Sequence, residues 1–262
     1  MARADELAAA GLEIPPGYSA FSYDERPDLD PAIDELMAAT WPAFMNEDEV
    51  ANQHFGRAYD DWPQFQTLLV DDAGRLVALG NAMPLSWDGT DEGLPEGWRE
   101  QILRSVEALE SGLTVNTLGA MQIAMRDDRR GAGLSGTMVG AMRAGAKAAG
   151  YRAVIANVRP TWKERYPLIP IERYATWTRD DGLPFDPWMR LHARLGARVV
   201  RASPRALIVR GSVADWESWT GMSFPDTGSY VVPRATRPVD IDRERDEGVY
   251  YDENAWMVHD IA

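Results

Sequence analysis

The sequence predicts an α/β fold built on a mixed sheet, and three stretches carry that reading. Residues 65–70 and 76–80 are apolar runs on either side of Asp71-Asp72-Ala73-Gly74, the pattern of a hairpin. Residues 118–156 read as strand, glycine turn, helix and strand. Beyond Gly196, two apolar stretches flank Ser203-Pro204 and read as strands around a turn. Helices alternating with strands in the middle, with hairpins at both flanks, give a mixed rather than a purely parallel sheet.

The elements follow in order. Residues 1–13 are charged and read as a flexible leader. Asp30-Pro31 ahead of Ile33, Leu36 and Met37 starts a helix with apolar residues three and four apart. A Trp- and Phe-rich stretch covers 41–62, and the first hairpin comes next. Ile102, Leu103, Val106 and Leu109 mark one face of a helix over 98–109. After the strand at 118–125, a small-residue helix over 134–149 stops at Gly150, where a left-handed residue is wanted. Ala153-Val154-Ile155-Ala156 is a short buried strand. A Pro- and Trp-rich insertion spans 160–184, and a helix from Pro187 ends at Gly196. The domain reading is therefore leader 1–13, core domain 14–212, and a C-terminal extension 213–262. Trp216, Trp219 and Trp256 are too apolar to face water, so the extension packs on the core or on a partner subunit.

Composition removes several classes of function. The 262 residues contain no cysteine, so disulfides, thiolate nucleophiles and cysteine–zinc sites are out. His54, His192 and His259 are too far apart in sequence for a compact metal motif, and no metal is expected. A net charge of −14 opposes a nucleic-acid backbone and attracts cations such as amines. The N-terminus lacks the apolar run of a signal peptide, and nothing approaches the roughly 18 apolar residues of a membrane span. No membrane association is expected, and the expected location is cytoplasmic.

The local exception to the negative charge lies at Arg126-Asp127-Asp128-Arg129-Arg130-Gly131-Ala132-Gly133-Leu134-Ser135. Strand, basic turn, small residues and a helix start are the parts of a pyrophosphate cradle. Gly131, Ala132 and Gly133 let backbone amides approach an anion, and the helix start adds free N–H groups and a positive dipole end. Gly131-x-Gly133-x-x-Gly136 also satisfies the dinucleotide fingerprint. That fingerprint expects an acidic residue about 20 positions on, and neither Asp nor Glu occurs between Asp128 and Glu164. An NADP-dependent oxidoreductase, with Arg152 or Arg159 replacing the acid, stays open as an alternative.

Arg130-Gly131-Ala132-Gly133-Leu134-Ser135 resembles the Arg/Gln-x-x-Gly-x-Gly/Ala signature of the GNAT superfamily of acyl-CoA-dependent N-acyltransferases, with Ser135 at the last small position. Ile123-Ala124-Met125 resembles the splayed fourth strand of that family. Leu191-His192 through Leu195-Gly196-Ala197 resembles its Tyr-x-x-x-Gly-Phe ending, with His192 at the tyrosine and Ala197 at the phenylalanine. The resemblance covers about 65–210 and leaves the 160–184 insertion and the C-terminal extension unexplained. It implies a mixed, mostly antiparallel central sheet flanked by helices.

It also implies a function and a site. The donor is acetyl-CoA or another acyl-CoA, and the acceptor is a small-molecule amine. Ile123, Ala124 and Met125 would hold the pantetheine arm, Arg129 through Ser135 the phosphates, and Asn157 the pantetheine amides. His192 would give the departing thiolate its proton, although a structural role is equally open. Trp41, Phe44 and Met45 lie where the family binds its acceptor. No carboxylate base stands on the 118–125 strand, where Gln122 is the polar residue. A non-catalytic CoA-binding module of the same fold is thus a second alternative, and a homodimer is left open.

Overall fold

A computed structural model describes residues 3–129 and 131–261. Its helices are α1 (Arg3–Ala9), α2 (Asp30–Thr40), α3 (Glu49–His54), α4 (Arg57–Asp61), α5 (Trp98–Glu110), α6 (Leu134–Ala148), α7 (Ile171–Tyr174), α8 (Pro187–Arg194) and α9 (Val213–Thr220). The strands are β1 (Tyr18–Ser22), β2 (Thr67–Asp71), β3 (Leu76–Leu85), β4 (Thr117–Met125), β5 (Ala153–Val158), β6 (Arg198–Gly211), β7 (Gly228–Tyr230), β8 (Val239–Asp242) and β9 (Glu247–Asp260). They form one sheet in the order β1-β2-β3-β4-β5-β9-β8-β7, with β6 also on β9. Among the described residues only β4 and β5 pair in parallel. The expected mixed, mostly antiparallel sheet with flanking helices is what the chain forms.

Three expectations need correction. The stretch read as a flexible leader contains α1, which is docked rather than loose. Leu7 is fully buried, and the Arg3 guanidinium donates to Thr67 Oγ1 at 2.8 Å and to the Ala141 carbonyl at 3.2 Å. The small residues of α6 explain the docking: a Cβ on Gly140 would stand 2.8 Å from Leu12, and one on Gly145 3.0 Å from Arg3. Glycine there lets the N-terminal segment lie directly on the helix.

The two strands expected around Ser203-Pro204 are one strand. In β6, Ser203 pairs with Asn254 and Leu207 with Asp252, so residues 204–206 oppose a single residue of β9. Proline has no ladder donor to offer, and a bulge absorbs it without reversing the chain.

The extension is not an appendage. β9 lies inside the sheet, pairing with β6 on one edge and with β5 and β8 on the other. Trp256, Met257 and Val258 are fully buried there. Residues 212–246 are an insertion between two core strands, and the boundary at 212 cuts through one sheet. Truncation after Gly211 removes a central strand and should leave an aggregating protein without a cooperative melting transition. A truncated chain that remained soluble, monomeric and equally heat-resistant would contradict this placement.

Candidate functional site

The parallel pairing of β4 with β5 runs from Thr117↔Ala153 to Ala120↔Ala156 and stops there. Both strands continue, β4 to Met125 and β5 to Val158. Opposite β3, Asn81 pairs with Gln122 and Ala82 with Ala120, so Met121 is the extra residue of a β-bulge at the point where the strands part. Bulges bend and twist the strand that carries them. The result is a wedge whose β4 edge, 121–125, has no strand partner on the β5 side among the described residues. A cavity of about 830 Å³ opens in it, lined by parts of β4, β5, α6, α8 and β9 and by the 40–56 segment.

The β4–α6 turn borders this wedge. Gly131 and Gly133 have φ of +86° and +78°, values that L side chains rarely adopt. A Cβ on either would meet nothing within 4 Å, so the backbone there is open to an incoming group. Gly133 caps the 15-residue helix α6. The helix start therefore presents its first N–H groups and dipole end to the open side. Ser135 lines the cavity, and its hydroxyl donates to Met125 Sδ at 4.0 Å. Ala132 is exposed. Leu134 is 1% exposed and packs in the core, so only its backbone can serve. The same holds for Ala124, which faces Leu68 and Leu79, whereas Ile123 and Met125 line the cavity. Arg129 turns away, pairing with Asp71 at 3.3 Å beside Tyr18. Arg130 lies outside the described residues.

Of the three residues expected at the acceptor end, Trp41 and Met45 line the cavity and Phe44 does not. Phe44 is 1% exposed and packs its ring 5.5 Å from Trp216 and 5.3 Å from Tyr250. It anchors the loop from beneath. Gln122, which had no chemical role in the sequence, accepts from Trp41 Nε1 at 2.8 Å and donates to Asn81 at 2.7 Å, and so fixes the indole over β4. Trp98, also unforeseen, donates to the Met121 carbonyl at 2.7 Å and stacks on Phe55. Nothing local in the sequence distinguished these aromatic residues from core.

Three buried polar atoms on cavity-lining residues lack a partner among the described residues: Asn157 Nδ2, Asn254 Oδ1 and His192 Nε2. Asn254 Nδ2 donates to Asn157 Oδ1 at 2.8 Å, which leaves one donor and one acceptor of the pair free. An unsatisfied buried polar group costs about 1–3 kcal/mol. Three on one cavity make it a place for a ligand with amide-like donors and acceptors. Pantetheine is such a ligand, and the residues present fit it.

His192 sits on α8, which Asp186 caps by accepting from Trp188 and Met189 at 2.9 and 3.2 Å. The 160–184 insertion braces this helix: Tyr174, ringed by Tyr166, Trp177 and Phe185, donates its hydroxyl to Asp186 at 3.0 Å. The ring lies 4.5 Å from Trp188, and its Nδ1 is 2.9 Å from His259 Nε2. Burial, reinforced by the His259 ring, pushes His192 down to about 3. Burial and then Arg143 push His259 down to about 4. His192 therefore lies well below the ordinary histidine value of about 6.5. Both rings are neutral at pH 7, and one must donate to the other. The tautomer in which His192 Nδ1–H donates to His259 Nε2 is the one that would leave a lone pair on His192 Nε2, an atom with no partner among the described residues.

Among the described residues no cluster of three or more His, Asp or Glu could hold a metal ion. None of their helices is long and apolar enough to cross a membrane.

No family model matches the chain. Solved structures share its architecture. The loading GNATL domain of CurA from Lyngbya majuscula superposes with a TM-score of 0.59 at 15% identity, covering 93% of this chain and 98% of that one. The GphF GNAT-like decarboxylase in complex with isobutyryl-CoA gives 0.57 at 15% identity, covering 94% and 99%. The chain thus has the GNAT fold, as the Arg130–Ser135 resemblance implied. In sequence it is 29% identical to the arginine N-acetyltransferase avaD of Aspergillus versicolor, over 98% of both chains.

Proposed function

We propose that this protein is an N-acyltransferase that moves an acyl group, acetyl in the simplest case, from acyl-CoA to an amine of a small molecule. The observation that carries the reading is the wedge between β4 and β5, with an unpaired strand edge on one side and orphaned amide groups on the other. The full-length similarity to an N-acetyltransferase supports it. The oxidoreductase alternative loses ground to the fold. Arg159, one of the two candidates for replacing the acid, is already paired with Asp252 at 2.9 Å.

In this reading the N–H groups of 131–135 hold the phosphates, the β4 edge at 123–125 and Asn157 hold the pantetheine arm, and Trp41 and Met45 wall the acceptor end. Acyl-CoA, when bound, supplies the thioester carbonyl. The β4 edge offers backbone donors already in place, which is what stabilises developing negative charge. His192 Nε2 accepts the proton that the attacking amine must lose and passes it to the departing sulfur, so the products are an amide and a free thiol. A histidine held well below its ordinary pKa is a weak base, so it takes the proton only once bond formation has made the attacking nitrogen acidic, and it then gives that proton up readily to the sulfur. The assignment does not need a carboxylate on β4. With acyl-CoA as the donor, the cytoplasm is the setting this reading favours. The test is acyl transfer itself: thiol release from acetyl-CoA that depends on an added amine.

A further inference from the structure

The GNAT resemblance left two segments of the chain unexplained, and both converge on the cavity. Four charged side chains line it: Arg159, Glu164, Arg234 and Asp252. Arg159 and Asp252 satisfy each other through two contacts of 2.9 and 3.1 Å. Glu164, from the 160–184 insertion, and Arg234, from the 212–246 insertion, have no ion-pair partner among the described residues. Both are exposed at the open side of the cavity. Each insertion thus delivers one unneutralised charge, of opposite sign, to the same space.

Arg234 is held there deliberately. Its φ of +66° lies in the left-handed region, uncommon for a residue with a Cβ. Such backbone persists only where its surroundings over-determine it. Arg159 Nη2 donates to the Arg234 carbonyl at 2.6 Å. Two residues on, Thr236 N donates to Tyr250 Oη at 2.9 Å, and Glu253 N donates to Thr236 Oγ1 at 2.9 Å. Buried Lys163, paired with Glu253 at 2.8 Å, donates to the Thr236 carbonyl as well. These bonds tie 234–236 to the part of β9 that pairs with neither β5 nor β8. The Arg234 guanidinium then reaches over to the Thr40 carbonyl, at the edge of the Trp41 wall. With a single neutral partner for its side chain among the described residues, it keeps N–H groups for an anion.

We propose that the acceptor is an α-amino acid with a cationic side chain, its carboxylate taken by Arg234 and its side-chain cation by Glu164. The inference rests on the amine-acylating reading above and names its substrate class. A guanidinium takes a carboxylate through paired hydrogen bonds, and a carboxylate lining the same cavity suits a second, cationic end. The neutralised Arg159–Asp252 pair contributes rigidity, not selectivity.

The experiment is calorimetric titration of the CoA-loaded protein with L-arginine, agmatine (no carboxylate) and L-citrulline (no side-chain cation). L-Arginine should bind at least about tenfold more tightly than either analogue, the scale of one charged hydrogen-bonded contact. Arg234→Gln should collapse the arginine-to-agmatine ratio, and Glu164→Gln the arginine-to-citrulline ratio, each leaving the other ratio standing. Equal binding of all three, no binding of any, or ratios that ignore the two substitutions would overturn the proposal. So would a loss of CoA affinity in Arg234→Gln, which would give that residue to the donor. Turnover separates the two layers. Acetylation of agmatine or another simple amine with flat binding ratios would sink the substrate assignment alone, whereas no transfer to any amine would remove the reading beneath it.

Discussion

Gly133→Val is expected to weaken CoA binding by at least about a hundredfold while the far-ultraviolet circular dichroism stays native. Phosphate held by charged hydrogen bonds from the backbone draws about 1.5–3 kcal/mol from each, so losing two of them is worth that factor. A Cβ added at Gly133 meets nothing within 4 Å among the described residues. Its bulk falls where the phosphates would lie. Valine also forces an L residue into a φ of +78°, a strain of roughly 1–2 kcal/mol that has nothing to do with the ligand. Gly150, at the far end of α6, separates the two effects. Its φ is +73° and its Cβ space is equally open. Gly150→Val should show the strain as a lower melting temperature with CoA affinity intact. Unchanged CoA affinity in Gly133→Val would remove the cradle.

His192→Phe should lower kcat at least about tenfold with CoA affinity nearly unchanged, since general acid–base help is worth about 10²–10⁴-fold and acts during bond making and breaking. The pH dependence sharpens this. A histidine whose folded pKa is depressed to about 3 is neutral throughout the pH range of an ordinary assay. It contributes no acidic limb above about pH 5. Any limb seen there reports the acceptor, whose ammonium must lose a proton before it can attack. His192→Gln should therefore keep the limb and lose rate, whereas a limb that vanished would mean that His192 titrates in that range. Full turnover by His192→Phe would make the residue structural. Tyr174, with its hydroxyl committed to Asp186 and not among the cavity-lining residues, could not readily take its place.

The parts of this molecule that could be read from sequence are those whose determinants are adjacent. Gly131, Gly133 and the start of α6 announce themselves within six residues, and Leu191 through Gly196 mark a helix and its stop. The hairpin of β2 and β3 is of the same kind. β9 was unreadable for the opposite reason. Asp252, Glu253 and Asn254 interrupt its apolar run and look like a loop, yet all three are buried. Their partners are Arg159, Lys163 and Asn157, about 90 residues earlier in the chain. Only the folded sheet brings those charges together, so a central strand passed for part of an extension. Phe44 shows a related limit. An aromatic cluster reveals that something is buried but not which ring faces a cavity and which faces Trp216. The depression of His192 is likewise a property of the packed state, created by burial and by a histidine 67 positions away.

The account stands or falls on one assay: thiol release from acetyl-CoA by purified protein across a panel of amines, with the acylated product identified by mass. The account predicts release that requires an amine, one acetyl group added to nitrogen for each thiol freed, and no release from acetyl-CoA alone beyond the uncatalysed rate. Tight CoA binding with no amine-dependent release across the panel would contradict it and leave a CoA-binding module in place of an enzyme.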